Sequence, residues 1–248
     1  MSSGFLGEFA EGKIVLEKGL RNAWEINDRF ITGWVELSYS ILSYFEGDGD
    51  SVVDHAQKSI KCFEDSGAEV QVGITWSFLG AGYYLRGEYD KAIDPAEKGL
   101  KLAIESGLPF TVSWCYSNLA MIFRAAGDLK HARECAERSI KLAQEHKIKN
   151  CEGVAWMLLG SIKGKMDPAR IDEAQQHIGH GISIVEELRQ KSCYALGYLL
   201  SGELFVEAGR KEEALENLKK AESFYLEMKV TPKSYWLKRT REALAKLE

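Results

Sequence analysis

Apolar residues recur along this chain with the spacing of amphipathic α-helices. In the segment TVSWCYSNLAMIFRAAG, Tyr116, Leu119, Ala120 and Phe123 fall at positions i, i+3, i+4 and i+7, which is one helical face. The following segment, KHARECAERSIKLAQEH, has a second such face made mainly of small residues. Between them, AGDL supplies a glycine suited to a helix C-cap and an aspartate suited to the next N-cap. The pattern predicts two helices joined by a tight turn.

This two-helix pattern repeats along the chain. A pair of small residues seven positions apart marks the second helix of each unit, and its second member falls at 19, 59, 99, 139, 181 and 221. Successive steps are therefore 40, 40, 40, 42 and 40 residues. The phrase GEFAEGKIVLEKGLRNAWE at 7–25 returns two periods later as GEYDKAIDPAEKGLKLAIE at 87–105. A period of this length indicates a solenoid, in which each unit buries its apolar face against its neighbours.

The register predicts one all-α domain over residues 1–248, built as an α-solenoid of antiparallel helix pairs with about 12 helices. A lone second-type helix is expected at 8–26, five pairs at 28–228, and a C-terminal capping helix at 232–247. Pro232 has a position suited to the first turn of that last helix. The small residues of the repeat are expected where paired helices touch; among them are Gly99, Ser139, Gly181 and Ala221.

The segment WSFLGAGYYLRGEYDKA contains the spacing Trp-x-x-Leu-Gly-x-x-Tyr, followed by Gly-x-Tyr-x-x-Ala. It resembles the tetratricopeptide repeat through Trp76, Leu79, Gly80, Tyr83, Gly87, Tyr89 and Ala92. The common repeat has 34 residues. The longer period here resembles the long-repeat subgroup in bacterial signalling proteins that carry cyclase or ATPase domains, and in MalT-like regulators. This resemblance implies a right-handed superhelix whose first-type helices line a concave face.

Charge and hydropathy narrow the functional classes. The formal net charge is −5 and the pI is about 5.7, without the basic stripe that nucleic-acid binding requires. The longest apolar-looking run, 74–85, is about 12 residues long, against about 20 for a membrane span. The N-terminus lacks the features of an export signal. We therefore expect a cytoplasmic protein with neither a nucleic-acid nor a membrane partner.

Motifs for catalysis or cofactors are missing from the sequence. It contains neither a phosphate-binding loop nor a dinucleotide-binding glycine motif, and its five cysteines include no Cys-x-x-Cys pair. GDGD at 47–50 is interpreted as a turn rather than a calcium loop, and His177 and His180 as solvated rather than metal-binding. The sequence predicts no catalytic residues, no metal and no cofactor, and hence no enzyme.

The concave face is the predicted binding surface. Trp, Tyr, Met and Arg favour interfaces, Asn118 can bond a peptide backbone, and Arg124 can pair with a carboxylate. The same face includes Glu203 in the fifth pair. Alternatively, Trp34 and Trp114 pack between repeats and Arg124 is only solvated. The predicted partner-binding residues are Trp34, Tyr44, Ser77, Tyr84, Trp114, Asn118, Met121 and Arg124.

The leading functional prediction is a non-catalytic scaffold that binds a peptide or a partner domain in its concave groove and has a regulatory role. The alternative is the effector-sensing domain of a bacterial signalling or transcription regulator, which would bind a small ligand. Because the chain begins with a second-type helix in mid-repeat, we also expect an upstream domain of a longer parent protein, or self-association through this end.

Overall fold

The computed structural model describes residues 2–248, without the side chains of Ser2 and Glu69. Within that range all regular structure is helical, as predicted. A 3₁₀ turn at Pro168–Arg170 precedes the tenth helix. The α-helices are α1 (Ser2–Leu6), α2 (Phe9–Glu25), α3 (Arg29–Glu46), α4 (Gly49–Asp65), α5 (Glu69–Leu85), α6 (Tyr89–Ser106), α7 (Pro109–Ala126), α8 (Leu129–Glu145), α9 (Lys149–Met166), α10 (Ile171–Glu187), α11 (Lys191–Glu207), α12 (Lys211–Glu227) and α13 (Tyr235–Ala245). The described range holds thirteen α-helices rather than about twelve because α1 is an additional short helix.

The small residues of the repeat lie where paired helices touch. A Cβ atom built on Gly99 in α6 would come 2.8 Å from the carbonyl oxygen of Gly73 in α5, closer than real Cβ atoms approach. In the next pair, the Ser139 hydroxyl of α8 donates a hydrogen bond of 2.9 Å to the Ser113 carbonyl of α7. Because a larger side chain would push the two backbones apart, the period seen in the sequence is a packing requirement. The predicted register is confirmed at both positions.

Two of the turns between paired helices use the predicted glycine and aspartate caps. Gly47 and Gly127 adopt left-handed conformations, with φ of 87° and 88°, at the ends of α3 and α7. The side chain of Asp48 then accepts from the Ser51 N–H at 3.2 Å, and that of Asp128 from the His131 N–H at 3.1 Å. These contacts satisfy backbone groups that helix ends leave unpaired. GDGD is thus a helix-to-helix turn.

The two ends of the chain behave differently from the repeats between them. α1 lies against α2, α3 and α11, and α13 lies against α11 and α12 and bonds to the end of α3. Helices from the first and last pairs are thereby brought together. α13 also begins at Tyr235, so Pro232 lies in the preceding turn and not in the first helical turn as expected.

None of the helices in the described range is long and apolar enough to cross a membrane.

Candidate functional site: the interior of the superhelix

The predicted partner-binding residues lie in two different environments. Trp34 is 39% exposed and packs edge-on against Phe30 and Phe63. The other seven are buried: Tyr44, Ser77, Tyr84, Trp114, Asn118, Met121 and Arg124. An open groove was expected, but α1 lies on Trp114, α13 lies on Tyr44 and Tyr84, and the two helices fill it. Partner binding by these residues stays a prediction, and it now requires the inner face to be uncovered.

Aromatic rings occupy the centre of the superhelix. We call the central aromatic cluster the set Phe5, Tyr44, Phe45, Phe78, Tyr84, Trp114 and Trp236. The Phe5 ring of α1 lies 4.7 Å from that of Phe45 and 6.0 Å from that of Trp114. On the other side, the Trp236 ring of α13 meets Tyr44 edge-on at 5.8 Å. Each such pair contributes about 0.5–1.5 kcal/mol beyond its buried area, so this cluster holds both terminal helices.

The start of α13 also caps the end of α3. The Ser234 hydroxyl donates to the Glu46 carbonyl at 2.6 Å, and the Tyr235 N–H donates to the Gly47 carbonyl at 2.9 Å. The Trp236 indole N–H donates to the Tyr44 carbonyl at 2.9 Å. The last carbonyls of a helix have no partner within that helix. α13 therefore recognises backbone as well as side chains on the inner face.

α1 docks on the opposite side through small residues. The Ser192 hydroxyl of α11 donates to the Gly4 carbonyl at 2.6 Å. Gly7, with φ of 78°, turns the chain out of α1, and a Cβ atom built there would collide with Met228. Two features favour glycine at position 7: the positive φ of the backbone there and the close approach of Met228.

Several of the remaining interior polar groups pair with one another. The Asn118 amide donates to the Ser77 hydroxyl at 2.9 Å, and the Tyr44 hydroxyl donates to the Met121 sulfur at 3.5 Å. A cavity of about 20 Å³ remains beside Trp114 and Trp236. It has room for about one water molecule. This cavity is therefore too small for an organic effector.

An ionic cluster lies at the end of the interior, formed by Arg124, Glu203 and Arg239. Arg239 binds Glu203 in bidentate fashion, with Nε–Oε1 and Nη2–Oε2 distances of 2.6 Å each. Arg124 Nη2 reaches the same Oε2 at 3.1 Å. Burial by itself would raise the pKa of Glu203, but Arg239 and then Arg124 outweigh it and lower the pKa to about 2. Two guanidinium groups thus share one carboxylate, which leaves one net positive charge.

The buried thiols offer no activated nucleophile. Burial raises the pKa of both Cys115 and Cys151 to about 12, so each is a neutral thiol near pH 7. Nucleophilic cysteines have lowered pKa values and partial exposure. Cys62 and Cys193 are buried as well, and Cys135 is half-buried. The cysteines accordingly pack as small apolar side chains.

The sequence prediction missed the residues that α13 contributes. Trp236, Thr240 and Ala243 share one face at i, i+4 and i+7, and all three are buried. That spacing is present in the sequence, where the segment is predicted only as a C-terminal capping helix and none of these three positions is predicted to make a contact. Glu203 was placed on the correct face, but its partner Arg239 lies 36 residues away and was not predicted.

Residues 33–247 match the family described as the MalT-like TPR region. The chain belongs to this family. A comparison with curated proteins gives no match. Repeats of this type are typical of protein-interaction modules and generally act as non-catalytic scaffolds.

Solved structures share the fold at low sequence identity. A Rap protein in complex with Competence and Sporulation Factor has a TM-score of 0.66 and 12% identity, covering 97% of this chain and 73% of that one. The apo form of RapI has a TM-score of 0.62 and 15% identity, covering 96% of this chain and 92% of that one. BtubC from P. vanneervenii has a TM-score of 0.56 and 21% identity, covering 90% of this chain and 91% of that one. This MalT-like TPR chain thus has the fold of other helical-repeat solenoids.

Proposed function

We propose that this MalT-like TPR chain is a non-catalytic regulatory module that binds an amphipathic helix or peptide of a partner on the inner face of its superhelix. The observation that carries the proposal is the docking of α13. An aromatic anchor, Trp236, enters the central aromatic cluster, and an ion pair from Arg239 fixes the next turn. Both are features of helix-in-groove recognition.

In this proposal α13 is a ligand in cis. A partner helix would displace it and meet the surface that it covers. Tyr44, Tyr84 and Arg124 are the predicted partner-binding residues closest to α13, through contacts with Trp236, Tyr235 and the Arg239–Glu203 pair. Binding of a factor by a Rap protein of the same fold is consistent with a solenoid that carries a ligand.

Because α13 and the partner would compete for the same surface, the docked α13 would weaken the apparent affinity for the partner. A segment tethered by a short linker competes at an effective concentration in the millimolar range. A partner must therefore bind much more tightly to the uncovered face than to the intact chain. A substitution that weakens the docking of α13 should expose the groove and leave the groove itself intact.

A synthetic peptide with the sequence of residues 231–248, labelled with fluorescein, tests this proposal by fluorescence anisotropy. The Trp236→Ala chain should bind the peptide at least about tenfold more tightly than the wild-type chain, because its own α13 competes less well. Trp24→Ala is the matched control, since Trp24 is exposed and lies outside the interior. A peptide carrying the same Trp-to-Ala change should bind weakly to every variant.

The groove proposal fails if the Trp236→Ala chain remains folded by circular dichroism and still does not bind the peptide. Equal affinities of the wild-type and Trp236→Ala chains would show instead that α13 does not compete for the groove.

A second candidate function, sensing of a small effector, is favoured by a separate polar cavity of about 240 Å³ beside the arginine–glutamate cluster.

A further inference from the structure

The polar cavity lies at the end of the interior, where side chains from separate helices meet. Tyr84 comes from α5, Tyr89 from α6, Arg124 from α7, Glu203 from α11 and Arg239 from α13. The remaining polar lining residues are Lys165, Glu207, Tyr235, Glu242 and Lys246. Its volume is about 240 Å³, against about 20 Å³ for the cavity beside Trp114 and Trp236. That is room for a small organic molecule rather than for a folded segment.

Arg124 is the least satisfied group of this cavity. Its side chain is only 6% exposed, and its Nη2 makes a single contact with Glu203 at 3.1 Å. Its Nε–H is buried and has no acceptor among the described residues. Both Glu203 oxygens are already held at 2.6 Å by Arg239. The single contact from Nη2 therefore leaves this buried cation short of acceptors, which is costly.

The rest of the lining leaves the charge balance positive. Lys165 is paired with Glu207 at 3.0 Å, and Glu242 lies 3.8 Å from Lys238, which is itself outside the cavity. With Arg124, Arg239 and Lys246 included, four cationic and three carboxylate side chains line the cavity, a net charge of +1. An anion with one negative charge would balance the lining.

We propose that this cavity binds a small molecule through one carboxylate group, which accepts hydrogen bonds from Arg124. A planar carboxylate matches the fork of guanidinium donors, and such charge-assisted bonds are stronger than neutral ones. Tyr84 already accepts from Arg239 Nη1 at 2.8 Å, so its own hydroxyl hydrogen remains available as a further donor. The tyrosines provide flat apolar walls for the rest of the molecule.

The site is incomplete without α13, because Arg239 and Tyr235 are part of it. A carboxylate bound here would favour the docked state of α13 over any state in which α13 has left the interior. The ligand would then oppose partner access to the groove. The site itself does not depend on the proposed partner binding, but this regulatory consequence rests on it.

Thermal unfolding of the intact chain with defined probes tests the site. N-acetylalanine should raise the midpoint in a concentration-dependent manner, and N-acetylalaninamide, which lacks the carboxylate, should not, both measured against sodium chloride at matched ionic strength. Titration calorimetry should show at least a tenfold weaker affinity for N-acetylalanine in Arg124→Gln. Arg124→Lys, which keeps the charge, should retain part of the binding.

Arg241→Gln is the matched control. Arg241 lies on α13 and pairs with Glu222 at 2.7 Å, but it does not line the cavity. Its affinity for N-acetylalanine should equal that of the wild-type chain. Equal binding by the acid and its amide, or wild-type affinity in Arg124→Gln, would overturn the proposal, as would the absence of any response.

Two more probes identify the source of the carboxylate and the alternative anion. Acetyl-trialanine with a free C-terminus should bind more weakly than N-acetylalanine if the ligand is a small acid, and more tightly if a peptide terminus supplies the carboxylate. Either result supports a carboxylate site. Stronger binding of inorganic phosphate than of both acids overturns it. These measurements use the docked protein, so their failure is distinguishable from failure of the 231–248 peptide to bind the groove.

Discussion

The single helices at the two ends of the solenoid, α2 and α13, carry similar aromatic and aliphatic side chains but bury them to very different extents. Trp24 in α2 is 64% exposed, whereas Trp236 in α13 is 3% exposed. Ile14 and Ile26, within and next to α2, are exposed as well, whereas Leu237 and Ala243 of α13 are buried. The difference lies in where each helix is placed and not in how apolar it is.

Chain connection accounts for this difference. α2 passes to α3 through a tight turn of three residues, 26–28, so it continues the stack of helices as one more layer. α13 follows a longer connection, 228–234, which lets the chain turn back into the interior. A terminal helix that stacks leaves one apolar side without a neighbour. A terminal helix that turns inward finds neighbours for its apolar face, and these include the first pair.

The largest expected effect is that of Trp236→Ala. It removes a buried ring together with its hydrogen bond to the Tyr44 carbonyl and should lower the free energy of unfolding by about 3–5 kcal/mol. Trp24→Ala, with the same change in composition, should stay within about 1 kcal/mol because Trp24 is mostly exposed. Chemical denaturation of both variants measures this. Similar losses would show that the two ends are buried alike in solution.

Glu203→Gln should have the next largest effect. Because the folded-state pKa of Glu203, about 2, is lower than its ordinary value of 4.5, the ionised form stabilises the fold above about pH 4.5. That stability is lost as the pH falls from about 4.5 to 2. At pH 7 the substitution should cost about 3 kcal/mol, at about 1.4 kcal/mol per pKa unit.

Denaturation at several pH values checks the Glu203 prediction. Wild type should lose stability between pH 4.5 and 2 more steeply than Glu203→Gln. Glu222→Gln, at the more exposed pair with Arg241, should cost less than about 1 kcal/mol and keep the wild-type slope. Parallel curves for wild type and Glu203→Gln would mean that Arg239 and Arg124 do not hold this carboxylate in solution.

Gly7→Ala tests how α1 is seated. Gly7 and Gly209 both have positive φ, 78° and 69°, so an alanine should suffer the same backbone strain at either site, about 1–2 kcal/mol. Only at Gly7 would the new methyl group also strike Met228. Gly7→Ala should therefore cost about 1–3 kcal/mol more than Gly209→Ala. Equal midpoints in thermal unfolding would place Gly7 away from Met228.

The smallest effect is expected at the exposed end. Ile14→Ser and Ile26→Ser should change stability by less than about 0.5 kcal/mol, since both side chains are more than half exposed. If this end mediates self-association, the same variants should lower the average mass measured by light scattering at high concentration. A loss of stability above 1 kcal/mol would indicate that another surface covers this end.

The sequence by itself determined the repeat, the helix pairs and the faces by which they pack. Each of these is local: the period of 40, the small residues at Gly99 and Ser139, and the aspartate and glycine caps concern residues within one unit or between adjacent units. Helical spacing places Arg124 and Glu203 on the inner face for the same reason.

Only the tertiary structure decided what lies on that inner face. The bond from Trp236 to Tyr44 spans 192 positions and that from Arg239 to Tyr84 spans 155, because the superhelix curves enough to bring its last helix back to its first pairs. That curvature accumulates from small rotations between successive pairs, and no single repeat contains it. The closed interior, the arginine–glutamate cluster and the polar cavity all arise from these accumulated rotations. The helices themselves arise from local sequence.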